Sequence, residues 1–162
     1  MSKSKRVRSH HKGRKYSKKH VSKKHARKYL SKKHDMEHYN CIHMIEEIYT
    51  DHLGIDFSKE YGKLDMNPNE IGRVYGKRFH IKITLDYLKR SLEEHIRIQL
   101  KDIQEHDIII FMDRKERLAH FGLYIGNYQY IHLPIDGMVT IDEFNQEVMD
   151  KIYKIYRHKD VV

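Results

Sequence analysis

The pattern of apolar and polar positions changes at Asp35. Before it, residues 1–34 contain five histidines, no acidic residue and very few apolar side chains. After it, apolar positions recur first at helical and then at strand spacing. A segment so poor in apolar residues cannot bury enough surface to offset the entropy lost on ordering. We therefore predict a disordered basic tail over 1–34 and a folded domain over 35–162.

Two helices are predicted in the first half of this domain. Asn40 is a favourable N-cap, apolar residues recur from Cys41 to Leu53, and Gly54 supplies a left-handed end. A second apolar stripe, with charged residues on the other faces, predicts a helix over 84–105.

From Asp107 onward, apolar residues gather in short runs bounded by turn residues, which predicts strands. These strands cover 107–112, 118–125, 128–133 and 138–141 and form an antiparallel meander. Residues 144–157 fit either a helix or an edge strand. Helices followed by strands predict an α+β fold, with the N-terminal helices packed on one side of an antiparallel sheet.

Composition and charge narrow the class of protein. The 162 residues include 32 Lys+Arg and 23 Asp+Glu, a net charge of +9, and the mean hydropathy is −0.82. No apolar run is long enough for a membrane span, and no secretion signal follows the cationic N-terminus. A single cysteine excludes an intrachain disulfide and a zinc site built from several thiolates. We expect a soluble protein without a cofactor.

The one cysteine occupies a position that favours a nucleophile. The N–H groups and dipole at a helix N-terminus stabilise a thiolate, so Cys41 is expected to have a lowered pKa. His120 interrupts an apolar strand beside Gly122 and is the candidate base. A three-residue loop at 126–128 would place His132 opposite Gly122 and diagonal to His120, whereas a two-residue loop would turn it to the other face.

These motifs together resemble the NlpC-type cysteine peptidases, a papain-like family that hydrolyses peptides in bacterial cell walls. The resemblance covers about residues 36–142 and rests on Asn40-Cys41, the segment 106–111, His120-Phe-Gly-Leu-Tyr-Ile-Gly126 and Tyr130-Ile-His132. It implies a papain-like domain behind the basic tail. Within the family, the run 41–45 and the helix end at 53–56 look most like versions found in bacteriophage tail-assembly proteins.

The resemblance also implies a role for each site residue. Cys41 would be the nucleophile, His120 the general base and acid, and His132 the residue that orients His120. Tyr39 and Asn40 would line the oxyanion and substrate pocket. The implied substrate is a peptidoglycan stem peptide. The implied location is a phage tail, in the virion or in the host cytoplasm during assembly, with phage tail subunits as partners.

Other interpretations of the same residues stay open. Cys41 could be a buried apolar residue and His120 a core histidine, in a catalytically silent structural component of a phage tail or virion. The family usually reads Asp-Cys-Ser-Gly, whereas this chain places Ile42 and His43 after the cysteine. A metal site at His38, Cys41 and His43 is disfavoured, because His43 lies on a different helical face and no fourth ligand is evident.

The fifteen lysines and arginines of residues 1–34 predict binding to a polyanion. Counterion release drives such binding without sequence readout, so non-specific nucleic acid is the default partner. Cell-wall polymers, lipid headgroups and acidic subunit faces are alternatives, as is a nucleic-acid-binding protein whose domain is only a carrier. The expected polyanion-binding residues are Lys18, Lys19, Lys23, Lys24, Arg27, Lys28, Lys32 and Lys33.

Overall fold

The computed structural model describes residues 23–35, 39–56, 95–113 and 118–161, which form helices packed on one antiparallel sheet. The helices are α1 (Lys23–Leu30), α2 (Cys41–Leu53) and the short α3 (Gln146–Met149). The strands are β1 (His95–Ile98), β2 (Ile108–Asp113), β3 (Leu118–Gly126), β4 (Gln129–His132), β5 (Thr140–Glu143) and β6 (Ile152–His158). A turn of 3₁₀ helix covers Leu100–Asp102. The predicted α+β fold is confirmed.

The described strands lie in the order β1-β6-β2-β3-β4-β5, and every neighbouring pair is antiparallel. Strands β2 to β5 follow one another as the predicted meander. The C-terminal segment contains both structures that its sequence allows, because α3 is followed by β6. Strand β6 does not lie at an edge, since it pairs with β2 on one side and β1 on the other.

Helix α2 begins and ends as the sequence predicts. The Asn40 side-chain oxygen accepts hydrogen bonds from the backbone N–H groups of Ile42 at 3.0 Å and His43 at 3.3 Å. In return, His43 Nδ1 accepts a hydrogen bond from the Asn40 N–H at 3.2 Å. Gly54 closes the helix with a φ of 69°. This reciprocal cap fixes Cys41 as the first residue of α2.

The sheet carries an apolar cluster on each face. On one face, α1 and α2 pack over side chains that include Ile110, Leu123 and Ile131. The other face carries the cluster of Ile109, Phe111, Tyr124, Tyr130 and Phe144. Side chains alternate between the two faces along a strand, so His120 and Gly122 share the face of the second cluster.

The predicted helix over 84–105 is wrong where the structure describes it, and residues 84–94 lie outside the described part. Residues 95–98 instead form β1, in which Ile96 pairs with Arg157 and Ile98 with Ile155. The β-branched isoleucines at alternate positions suit a strand, and pairing with β6 overrides the helical spacing of the apolar residues.

The basic segment belongs to the domain over its described residues. Ala26 and Tyr29 of α1 are fully buried, and the Tyr29 hydroxyl donates to Asp51 of α2 at 2.8 Å. Beyond α1, the Val139 N–H donates to the Lys32 carbonyl at 3.0 Å. The predicted disordered tail, with its boundary at Asp35, is therefore wrong for 23–34, because contacts with α2 and the sheet order this segment. Residues 1–22 lie outside the described part.

Within the described residues, no helix is both long and apolar enough to cross a membrane.

Candidate active site

Cys41 lies beside β3, on the side where β4 pairs with it. The backbone N–H of Phe121 lies close to the Cys41 sulfur and favours its thiolate form. The Tyr124 N–H donates to the Asp107 carbonyl and so points towards β2. Because the N–H groups of successive residues in a strand point to opposite sides, the Phe121 N–H points towards β4. Strand β4 ends at His132, which pairs with the residue after Phe121. The sulfur therefore lies just beyond the end of β4, beside the main chain that carries His120.

The environment of Cys41 favours the protonated thiol. Cys41 is only 3% exposed, and burial raises the pKa of its thiol to about 11. The backbone N–H groups of Phe121, Cys41 and Ile42 act in the opposite direction but do not outweigh the loss of hydration. The expected lowered pKa is thus wrong. At neutral pH the sulfur is therefore a thiol.

The hairpin of β3 and β4 brings the two candidate histidines together. Gly122 pairs with His132, so the predicted position of His132 is confirmed. The predicted three-residue loop is wrong: β3 extends to Gly126, which pairs with Gln129, and a register shift between Tyr124 and Gly126 keeps His132 opposite Gly122. His120 Nε2 lies 2.8 Å from His132 Nδ1, with the ring centroids 5.0 Å apart. Both imidazoles therefore lie on one face of the sheet, in direct hydrogen-bond contact.

Gly122 makes room for this arrangement. A Cβ atom at this position would lie 3.0 Å from Tyr130 Cδ2 and 3.1 Å from Phe111 Cε2. Without it, the two aromatic rings close over the glycine and flank the histidines. Phe111 stacks on His120 at 6.1 Å, and Tyr130 stacks on His132 at 4.8 Å between ring centroids. Both imidazole planes are held by aromatic packing.

Asp142 is a site residue that the sequence analysis missed. Its Oδ2 lies 2.7 Å from His132 Nε2. Strand β5 pairs with β4 so that Asp142 is opposite Tyr130 and diagonal to His132. The sequence signal for it was an acidic residue that continues the alternating positions of the strand following His132. The predicted strand ended one residue too early, at Ile141. The site is thus a line of hydrogen bonds from His120 through His132 to a carboxylate.

Tyr39 and Asn40, which were predicted to line the pocket, make contacts that stabilise α2. The Tyr39 hydroxyl donates to Glu47 at 2.7 Å, and burial together with this bond raises its pKa. Asn40 is fully buried, and its side-chain oxygen caps α2. Its side-chain nitrogen has no partner among the described residues. Their pocket role stays a prediction.

Two of the predicted polyanion-binding lysines are paired within the domain. Lys28 forms an ion pair with Asp51, and Lys32 with Glu47. Arg27 and Lys33 are exposed. Lys18 and Lys19 lie outside the described residues, as do the side chains of Lys23 and Lys24. Binding of nucleic acid through 1–34 stays a prediction, with less charge available than the composition suggests.

The described residues contain no cluster of three or more His, Cys, Asp or Glu side chains that could hold a metal ion. His38, part of the metal alternative, lies outside the described residues.

A cysteine at a helix N-terminus, beside an antiparallel sheet that carries a histidine and its polar partner, is the arrangement of papain-like cysteine hydrolases. Residues 26–158 match the profile of the NlpC/P60 family, so the chain belongs to that family. Its members are cysteine peptidases and amidases that act on peptidoglycan. A search of curated proteins gives no match. The family match begins within α1, in agreement with the packing of α1 on the domain.

Proposed function

We propose that the protein is a cysteine hydrolase that cleaves a peptide bond in the stem peptides of bacterial peptidoglycan. The observation that carries the proposal is the position of the Cys41 sulfur beside the main chain of β3 next to His120, whose ring is bonded to His132. Membership of the NlpC/P60 family supports the choice of substrate.

In the proposed reaction, His120 acts first as a base and then as an acid. Its Nε2 faces His132, so Nδ1 takes the thiol proton while the sulfur attacks the carbonyl carbon. A carbon–sulfur bond forms, and the carbonyl π electrons move to oxygen, where N–H groups at the start of α2 stabilise the charge. Collapse of this intermediate breaks the C–N bond, and His120 gives its proton to the leaving amine. Water then hydrolyses the thioester and restores the thiol.

The raised thiol pKa determines when the proton moves. With a pKa of about 11, the sulfur does not hold a preformed thiolate at neutral pH. The proton is therefore transferred to His120 during the attack on the substrate, as in general base catalysis. Binding of the substrate next to the sulfur assists this step, because the carbon–sulfur bond forms while the thiol loses its proton and no free thiolate has to accumulate.

The test is hydrolysis of soluble stem peptides, followed by chromatography of the products. Cys41→Ala should abolish cleavage, and His120→Ala should lower kcat by about 100-fold or more. Asn127→Gly is the control, because it changes the tip of the same hairpin, where φ is 51°, and leaves the imidazoles in place. Cleavage by Cys41→Ala, or folded wild-type protein that cleaves no stem peptide, would contradict the proposal.

A second candidate is a structural component of a phage tail or virion that keeps the fold without turnover. The observation in its favour is the almost complete burial of Cys41 together with its raised thiol pKa. The hydrolysis assay separates the two candidates, since a silent component would be folded and yield no product.

For the location, we propose a phage tail, either in the virion or during assembly in the host cytoplasm, with tail subunits as partners. The support is the resemblance of the run 41–45 and the helix end at 53–56 to phage tail-assembly versions of the family. Mass spectrometry of gradient-purified phage particles tests this, because the chain should sediment with tail proteins. Its presence in the unassembled fraction only would contradict the location in the virion.

A further inference from the structure

Asp142 lies at the far end of the hydrogen-bond line that runs from His120 through His132. Its Oδ2 is 2.7 Å from His132 Nε2, and His132 Nδ1 is 2.8 Å from His120 Nε2. The His132 side chain is 11% exposed, whereas that of Asp142 is 50% exposed. The carboxylate thus lies at the surface and directs one oxygen inward.

We infer that Asp142 is a positioning residue that sets the ring tautomers of both histidines, so that His120 presents an unprotonated Nδ1 to the Cys41 thiol. The inference rests on the proposed function and names a residue that the reaction needs beyond Cys41, His120 and His132.

The donors and acceptors along the line determine which nitrogen of each ring carries a hydrogen. A carboxylate can only accept, so a neutral His132 bonded to it carries its hydrogen on Nε2. His132 Nδ1 is then a lone pair and accepts from His120, which therefore carries its hydrogen on Nε2. A neutral imidazole has one N–H, so His120 Nδ1 is the basic nitrogen. One carboxylate fixes both rings in the useful tautomer.

The same line stabilises the charge that forms in the reaction. When His120 accepts the thiol proton at Nδ1, its Nε2–H continues to donate to His132, and His132 continues to donate to Asp142. No proton has to move along the line. The negative charge of Asp142 also stabilises the imidazolium of His120, with only the polarisable ring of His132 between them. Its field acts at this face of the sheet, where burial and the charge of Asp142 raise the pKa of Tyr130 to about 12.

The test compares three substitutions on β5 by two measurements. Asp142→Asn replaces an acceptor by an amide that can donate to His132 Nε2 and so reverse both tautomers. Glu143→Gln is the matched control, because it removes the same charge from the adjacent residue, whose side chain points to the other face. Asp142→Glu keeps the carboxylate and tests rescue. The measurements are ¹⁵N NMR of the histidine ring nitrogens and kcat and KM on a stem peptide.

We expect wild type to show an unprotonated Nδ1 on both His120 and His132. Asp142→Asn should populate the Nδ1–H form of His120 and lower kcat by about 10- to 100-fold with little change in KM. Glu143→Gln should change neither measurement, and Asp142→Glu should restore the wild-type tautomer. Unchanged ring tautomers in Asp142→Asn, or an equal loss of kcat in Glu143→Gln, would overturn the inference.

Because the NMR measurement needs no substrate, the two proposals can fail separately. Wild-type protein without hydrolysis, but with tautomers that reverse in Asp142→Asn, would refute the proposed function and support the tautomer assignment. Wild-type hydrolysis together with unchanged tautomers and kcat in Asp142→Asn would refute the inference and support the proposed function.

Discussion

At the scale of the residue, the chemistry of Cys41 is governed by two opposing effects. Backbone N–H groups at the start of α2 and in β3 favour the thiolate, while burial favours the thiol and dominates. In the proposed reaction the base is therefore as necessary as the nucleophile, and the base that we propose is His120, whose ring is hydrogen-bonded to His132.

The rate at which iodoacetamide modifies Cys41 should rise about tenfold per pH unit between pH 7 and 10, because only the thiolate reacts. The reason is the pKa of about 11, against an ordinary value of 9.0. The same cysteine in urea is the control, and its rate should level off above pH 9. A plateau near neutral pH in the folded protein would show a preformed thiolate and contradict this account.

The same shift makes stability depend on pH. The folded thiol has a pKa raised above its unfolded value, so its contribution to the free energy of unfolding is complete below about pH 9 and is lost as the pH rises towards about 11.

Single residues could be predicted where local spacing decides their position. Cys41 follows from a helix cap. His132 lies opposite Gly122 as predicted, although an irregularity between Tyr124 and Gly126, and not a three-residue loop, sets that register. Asp142 needs a second register, between β4 and β5, which the seven-residue connection between these strands does not fix by its length. The thiol pKa depends on long-range burial and so could not be predicted from the helix N-terminus alone.

At the scale of the element, the N-cap of α2 positions Cys41, the proposed nucleophile. Asn40→Ala removes the oxygen that accepts from two N–H groups, and it should lower the free energy of unfolding by about 1 kcal/mol. Asn145→Ala is the matched control, because Asn145 caps only the four-residue α3. Urea denaturation measures both losses, and the Asn40 variant should also lose more hydrolysis. Equal effects of the two substitutions would contradict the role of this cap.

Elements could be predicted where local signals agree with tertiary packing. Helix α2 has both its caps in the sequence, and strands β2 to β5 follow from runs of apolar residues bounded by turns. The predicted helix over 84–105 failed over 95–103, because β1 is formed by pairing with β6, some 60 residues later. The spacing of apolar residues within a segment does not show which distant strand the segment will pair with.

At the scale of the whole molecule, the site is assembled from separate parts of the chain. The sulfur comes from α2, the two imidazoles from the hairpin of β3 and β4, and the carboxylate from β5. Helix α1 covers α2 from outside through Tyr29 and Lys28, which both contact Asp51. The bonds from Lys28 and Tyr29 lower the Asp51 pKa against the opposing effect of its burial.

Tyr29→Ala should lower the free energy of unfolding by about 3 kcal/mol or more, because it leaves a cavity at a fully buried position. Lys28→Ala should cost less than about 1 kcal/mol, since that ion pair is exposed. Tyr29→Phe retains the ring and isolates the hydrogen bond to Asp51. Urea denaturation distinguishes these outcomes. A Tyr29→Ala variant as stable as wild type would mean that α1 does not belong to the folded domain.

The docking of α1 could not be predicted from its composition. Four of its eight residues are lysine or arginine, a composition that indicates disorder. Among its described side chains, Ala26 and Tyr29 are fully buried and Leu30 packs beside them. Their partners lie on α2, whose acidic residues also neutralise Lys28 and Lys32. The composition of a segment does not show which surface elsewhere in the chain will cover it.

The most direct test of the central claim is detection of the thioester on Cys41. Wild-type protein is mixed with a stem peptide and quenched in acid. Its intact mass should increase by the mass of the acyl fragment, and peptide mass spectrometry should place this increase on the peptide that contains Cys41. The adduct should be lost on treatment with hydroxylamine and should be absent in Cys41→Ala. Product release with no adduct in wild type, and equal product from Cys41→Ala, would contradict the account.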